Sequence, residues 1–149
     1  LIEPRGERKS FPTDNTSQLN QALVGGVLLA SSVSLRQQVA PASEFYRRNR
    51  DTLLECLARE LGDQDTGFAW NQPEGGFFLA LKLPFRFGRE ELLECANRYQ
   101  VIPMPMSFFS LGDSHHDQIR LAFSNIAPDA IGCGVERLTS FLRHRAREG

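Results

Sequence analysis

Between Ala42 and Leu61 the apolar positions recur at helical spacing. Phe45, Tyr46, Leu53, Leu54, Leu57 and Leu61 share one stripe, and Gly62 marks the stop. Counting about 100° per residue places Arg50 inside that stripe. A buried guanidinium is costly unless paired, so Arg50 is expected either to meet a carboxylate or backbone carbonyl or to snorkel to the surface. An earlier helix is expected from Ser17, with Leu19, Leu23, Val24, Val27 and Leu28 on one side. Gly25 and Gly26 weaken it and leave room for another backbone. Ser31, Ser32 and Ser34 interrupt it, and Pro41 limits the next helix to start nearby.

Downstream the period changes. Phe68–Asn71 and Phe77–Leu83 read as strands. In the second, Phe77, Leu79, Leu81 and Leu83 alternate with Phe78, Ala80 and Lys82; both sets are mostly apolar, so cover on both faces is expected. Arg89–Tyr99 reads as a short helix with Leu92, Leu93 and Ala96 inward, followed by a short strand at Val101–Ile102 and an irregular loop over Pro103–Asp117. Gln118–Phe123 reads as a strand. Pro128 then opens a last helix that buries Ile131, Val135, Leu138 and Leu142. This order predicts the α/β class: a small mixed sheet with helices packed mainly on one face. Leu1–Thr16, polar and rich in Pro, Gly and charge, reads as a linker or the remnant of a preceding domain, and 17–149 as one domain.

Composition narrows the picture. With 149 residues, 41% hydrophobic and 23% charged, the chain suffices for one soluble domain with a substantial core. A net charge of −1 gives no ground for a nucleic-acid or anionic-membrane partner. Arg137, Arg143, Arg145 and Arg147 read as a solvated basic helix end. Cys56, Cys95 and Cys133, odd in number and far apart, fit neither a disulfide framework nor a zinc pattern; they read as reduced thiols of a cytoplasmic protein. No signal peptide or membrane-length apolar run is visible. A start at Leu1 rather than methionine is expected of a segment of a longer polypeptide or of a processed product.

Candidate chemistry centres on Gln118–Ser124 (QIRLAFS). Arg120 lies on the face opposite Ile119, Leu121 and Phe123, and its guanidinium fork suits a planar carboxylate. The competing reading is an exposed strand arginine paired with a surface acid. In NQPEGGFFLALKLP, Gly75 and Gly76 permit torsions closed to other residues and leave space beside them; an ordinary turn explains the pair equally well. Asp113, His115, His116 and Asp117 crowd one loop, but adjacent histidines diverge and no further ligands flank them, so a polar loop is expected rather than a metal site. Ser107 and Ser110 lack the strained elbow of a nucleophilic serine, and no phosphate-binding glycine loop occurs. Phe108 and Phe109, with Met104 and Met106, read as core packing, with a ligand cap or a subunit contact as alternatives.

Taken in order, YRRNRDTLL (Tyr46–Leu54), Pro73–Leu83, VIPMPMSFF (Val101–Phe109), Ile119–Ser124 and the helix through Ile131–Leu138 resemble the C-terminal small domain of fold-type I pyridoxal-phosphate-dependent aminotransferases of class I/II. The resemblance runs from about Ser17 to Arg143. It implies a long interdomain helix leading into Tyr46–Leu54, Arg120 as the site of the substrate α-carboxylate, and Gly75 and Gly76 as the bend beside the active-site mouth. Pro105, Met106 and Ser107 depart from the Pro-Gly that many relatives carry. The implied activity is amino-group transfer from an amino acid to a 2-oxo acid, with pyridoxal phosphate as cofactor and a homodimer sharing its active sites. That chemistry needs a lysine amine, an aspartate for the pyridine nitrogen and a phosphate cup. Lys82 lies in a strand and Lys9 reads as a solvated linker charge, so these groups are expected in a large domain preceding Leu1. No catalytic, cofactor-binding or metal-binding residue is then expected in this chain, and alone it would not transaminate. A lyase, cyclase or decarboxylase on the same scaffold is an alternative. So is the ligand-sensing domain of a bacterial transcription regulator, the one case with nucleic acid as a partner, or a free-standing dimerisation domain.

Overall fold

The computed structural model describes residues 17–62, 67–112 and 114–148. They fall into two units that part after Pro41. In the first, Ser17 caps helix α1 (Gln18–Ala30), its Oγ accepting the Asn20 N–H at 3.3 Å, and Ser31 ends it. The expected stripe is present, yet no residue of α1 is buried. Leu23, Val24, Val27 and Leu28 instead line a shallow apolar groove with Leu35 and Gln38. Helix α2 (Leu35–Leu61) begins earlier than Pro41 led one to expect. Ser34 and Gln37 form a capping box: the Gln37 N–H donates to Ser34 Oγ at 3.3 Å, and the Ser34 N–H to Gln37 Oε1 at 2.9 Å. With its first turn secured in this way, the helix runs through Pro41, which removes one ladder bond without ending it.

The second unit is built on four strands: β1 (Ala69–Trp70), β2 (Phe78–Lys82), β3 (Met104–Pro105) and β4 (Gln118–Ala122), in the spatial order β1-β2-β4-β3. The α/β class stands, but every pairing is antiparallel where mixed directions were expected. The reason is topological. Strands β2 and β3 run the same way, but β4 lies between them, so no parallel pair forms. The strand expected at Val101–Ile102 lies instead at Met104–Pro105, where Arg120 and Ile119 supply its partners. A proline is tolerated there because β3 is an edge strand.

Leu79 faces Leu121 and Leu81 faces Ile119 across β2 and β4. These four side chains form one core with Leu53, Leu57 and Leu61 of α2 and with Ile131, Val135, Leu138 and Leu142 of α4 (Pro128–Glu148). The periodicity of α4 is thus met in full, and Phe141 joins it. Each fully buried side chain of this kind contributes roughly 1.5–3 kcal/mol. The opposite face carries Phe78, Ala80 and Lys82 beside Gln118, Arg120 and Ala122, all half-buried or exposed. Helices therefore cover one face, and the expectation of cover on both faces of β2 does not hold among the described residues.

Helix α3 (Arg89–Glu94) widens into a π-helical turn over Cys95–Tyr99, closed by Gln100 at φ 59°. Leu92, Cys95 and Tyr99 point inward at spacings of three and four; Leu93, one step round the helix, is exposed rather than inward. The basic end of α4 is more than solvated. Arg143 Nη1 lies 3.5 Å from Glu60 Oε2, and Arg145 Nη2 lies 2.9 Å from Glu91 Oε1, tying α4 to α2 and α3. No described helix is long and apolar enough to cross a membrane.

Candidate carboxylate-binding site

Because Ile119 and Leu121 point into the core, strand alternation sends Arg120 to the helix-free face. It stands on an interior strand, opposite Ala80 of β2 on one side and Met104 of β3 on the other. Its Cζ lies over the Phe78 ring, 4.1 Å from the centroid, and over the Phe109 ring, also at 4.1 Å. Among the described residues no carboxylate pairs with the guanidinium and no acceptor takes a hydrogen bond from it, so the competing reading of a surface salt bridge finds no support. Phe109 closes the 3₁₀ turn Met106–Phe109 that follows β3. Phe108 and Phe109 are both more than half exposed, at 52% and 53%, which corrects the core-packing reading of this loop.

Two hollows lie nearby, and Arg120 lines neither. One, of about 160 Å³, is apolar and is bounded by Leu53, Val101, Leu121, Phe123, Ile131 and Leu138. The other, of about 520 Å³, has Met106, Phe109, Ser110, Leu111 and Ser114 among its walls. Phe109 therefore belongs both to that second wall and to the Arg120 contact.

The glycine pair precedes β2. Gly76 adopts φ +85°, which favours glycine, and nothing stands within 4 Å of where a Cβ would project at Gly75 or Gly76. Arg50 braces the approach: its Nη1 donates to the Pro73 and Glu74 carbonyls at 3.4 and 3.0 Å. Its Nε and Nη2 meet Asp51 Oδ1 at 2.8 and 2.6 Å. The expected partner is present in both forms, carbonyl and carboxylate. Beyond the glycines, the Phe77 carbonyl accepts the Phe123 N–H at 3.0 Å, which ties the start of β2 to the end of β4.

Asn49 was not anticipated. It is fully buried on α2, and its Nδ2 donates to the carbonyls of Phe123 and Ile126, both at 2.9 Å. Its Oδ1 has no partner among the described residues. The signal was available, since Asn49 precedes Leu53 and Leu57 by one and two helical repeats. The two rings over Arg120 were legible only as apolar residues.

The remaining candidates disperse. His115 is exposed with φ 60°, and Asp113 lies outside the described residues. No group of three or more metal-ligating side chains occurs among the described residues. Lys82 is exposed, its Nζ 3.8 Å from Asp117 Oδ2, and Lys9 lies outside the described residues. All three cysteines are free thiols. Burial, with Glu94 adding to it, pushes the Cys95 thiol up to about 12.

No profile of a known protein family matches the chain. It is, however, 35% identical over 147 residues to the (S)-3,5-dihydroxyphenylglycine transaminase of Amycolatopsis orientalis, a match that covers 99% of the chain and 33% of that enzyme. Among solved structures it is similar to the multiple substrate aminotransferase of Thermococcus profundus, with TM-score 0.63 and 28% identity over 71% of the chain and 26% of that protein. Its fold also matches the α-aminoadipate aminotransferase LysN of Thermus thermophilus, with TM-score 0.75 and 24% identity over 96% of the chain and 35% of that protein. The chain belongs to the fold-type I aminotransferases, a pyridoxal-phosphate-dependent family, as a C-terminal small-domain region. It spans about a third of the length of the curated relative it matches.

The one described lysine, Lys82, is solvent-exposed and beside Asp117.

Proposed function

We propose that this chain contributes the substrate-carboxylate half of an aminotransferase active site, with Arg120 as the anchor and residues 17–149 as the small domain. One observation carries the reading: a half-buried guanidinium, faced by two phenylalanine rings, has no acid partner among the described residues. An unpaired cation held on a sheet face is a receptor for an anion, and the fork geometry of arginine favours a planar carboxylate. Gly75 and Gly76 turn the chain just before β2, the strand that pairs with the one carrying Arg120, and leave their surroundings open. In the full-length protein Arg120 would hold and orient the carboxylate of an amino acid or a 2-oxo acid. Pyridoxal phosphate supplies the electron-sink chemistry when bound, and its lysine, aspartate and phosphate contacts come from outside this chain. A homodimer in the cytoplasm accords with the family and with the free thiols.

The test is Arg120→Ala in the full-length protein. Removing one member of a charge-assisted pair costs roughly 2–5 kcal/mol, so the amino-acid KM is expected to rise about 30-fold or more with the fold intact. Unchanged KM and turnover would refute the anchor.

A further inference from the structure

We propose that Phe78 and Phe109 are positioning residues for Arg120: a two-sided aromatic clamp that holds the guanidinium in place and leaves its N–H edge for the incoming carboxylate. This rests on the reading of Arg120 as the anchor.

The two rings reach the guanidinium from opposite sides of β4. Phe78 comes from β2, where its own pairing with Ala122 makes it the diagonal neighbour of Arg120 on the same face. Phe109 comes from the turn after β3, whose Met104 pairs with Arg120. Each ring centroid lies 4.1 Å from Cζ, inside the range in which a cation is attracted to the negative face of an aromatic ring. Neither ring carries a carbonyl or carboxylate acceptor, so the guanidinium keeps its N–H donors for an anion. A free arginine side chain carries considerable rotamer entropy, which binding would have to remove. Cover from both sides removes part of it before the anion arrives.

The Phe78 side is itself anchored. Phe78 meets Phe77 edge-to-face at 6.5 Å, and Phe77 meets Tyr46 of α2 at 5.0 Å. Core burial does not explain the rings, since Phe78 and Phe109 remain 43% and 53% exposed. Neither does an alternative anion, since no described acid reaches Arg120.

The experiment uses the full-length protein with Phe109→Leu, Phe109→Tyr, Phe78→Leu and Arg120→Ala. The readouts are KM and kcat for the amino-acid substrate and the dissociation constant of propionate, a bare carboxylate, by calorimetry. Each leucine variant is expected to raise KM and the propionate constant about three- to five-fold, with kcat nearly unchanged. Phe109→Tyr, which keeps the π face, is expected to restore both. Phe109 sits on an exposed turn, so Phe109→Leu remains informative even where Phe78→Leu does not fold. Wild-type propionate binding by Phe109→Leu, beside weakened binding by Arg120→Ala, would overturn the clamp and leave the anchor standing. Wild-type binding by Arg120→Ala would overturn both. Equal loss in Phe109→Leu and Phe109→Tyr would also overturn the clamp.

Discussion

The side-chain amide of Asn49 donates to the carbonyl of Phe123 at 2.9 Å, joining the middle of α2 to the residue just past β4, three positions beyond Arg120. The same nitrogen reaches Ile126 at 2.9 Å, so one buried group closes the turn that ends the strand. Asn49→Ala would leave two carbonyls without that donor, the Phe123 one buried and the Ile126 one part-buried. A loss of about 2–4 kcal/mol is expected. Asn49→Asp is expected to be worse at neutral pH, because it sets a carboxylate against two carbonyl oxygens, and to recover partly in acid as that group protonates. Urea denaturation of both variants against pH is the measurement. Wild-type midpoints for Asn49→Ala would contradict the role.

Gly76 and Gly75 should respond differently to alanine. Only Gly76 has positive φ, and neither would meet a neighbour through a new Cβ. Gly76→Ala is therefore expected to cost about 1–2 kcal/mol from backbone strain alone, and Gly75→Ala less than about 0.5 kcal/mol. Paired denaturation curves decide it, and equal costs would show that φ is not the determinant.

Glu91 gives the fold a pH dependence of defined sign. Burial alone would raise its carboxyl. Hydrogen bonds from the Gly88 N–H, at 2.9 Å, and from its own backbone N–H, together with the Arg145 guanidinium, outweigh that and hold it below the usual carboxylate range. A lowered folded-state value means that the stabilisation is complete above the unfolded value and is lost as pH falls through the folded one. Glu91→Gln should be about 1 kcal/mol less stable at neutral pH, with the gap closing in acid. Thermal melts across that range test this, and a gap that stays constant would count against it.

Cys95 and Cys133 should differ in reactivity. Cys95 is buried with its thiol pushed up to about 12, whereas Cys133 is exposed on α4. Since the thiolate is the nucleophile, iodoacetamide at neutral pH is expected to label Cys133 in the native protein and Cys95 only after denaturation. Peptide mass mapping reads the outcome, and native labelling of Cys95 would refute its assigned environment.

Legibility followed burial. The stripe of α4 could be read residue by residue because Ile131, Val135, Leu138 and Leu142 are all buried. Leu79 and Leu81 were equally plain, whereas Phe78 and Ala80 misled: apolar residues on the open face imitate a second covered side. Polar capping carried the start of α2, which an apolar count and a proline rule both overlook. Arg120 and the glycines stand out as candidates from their local context, and Arg50's need for partners could be read from its place in a stripe. The contact of two rings with Arg120 could not be read, because Phe78 and Phe109 lie 31 positions apart and meet Arg120 only once β2, β3 and β4 are aligned.

That alignment leaves no tolerance for slippage. Side chains alternate along β4, so displacing it by a single residue would turn Arg120 toward the hydrophobic core and expose both Ile119 and Leu121 to water. A misregistered molecule would lose its hydrophobic interior and the proposed anion receptor together. A solvent-exposed apolar surface would therefore report the loss of both.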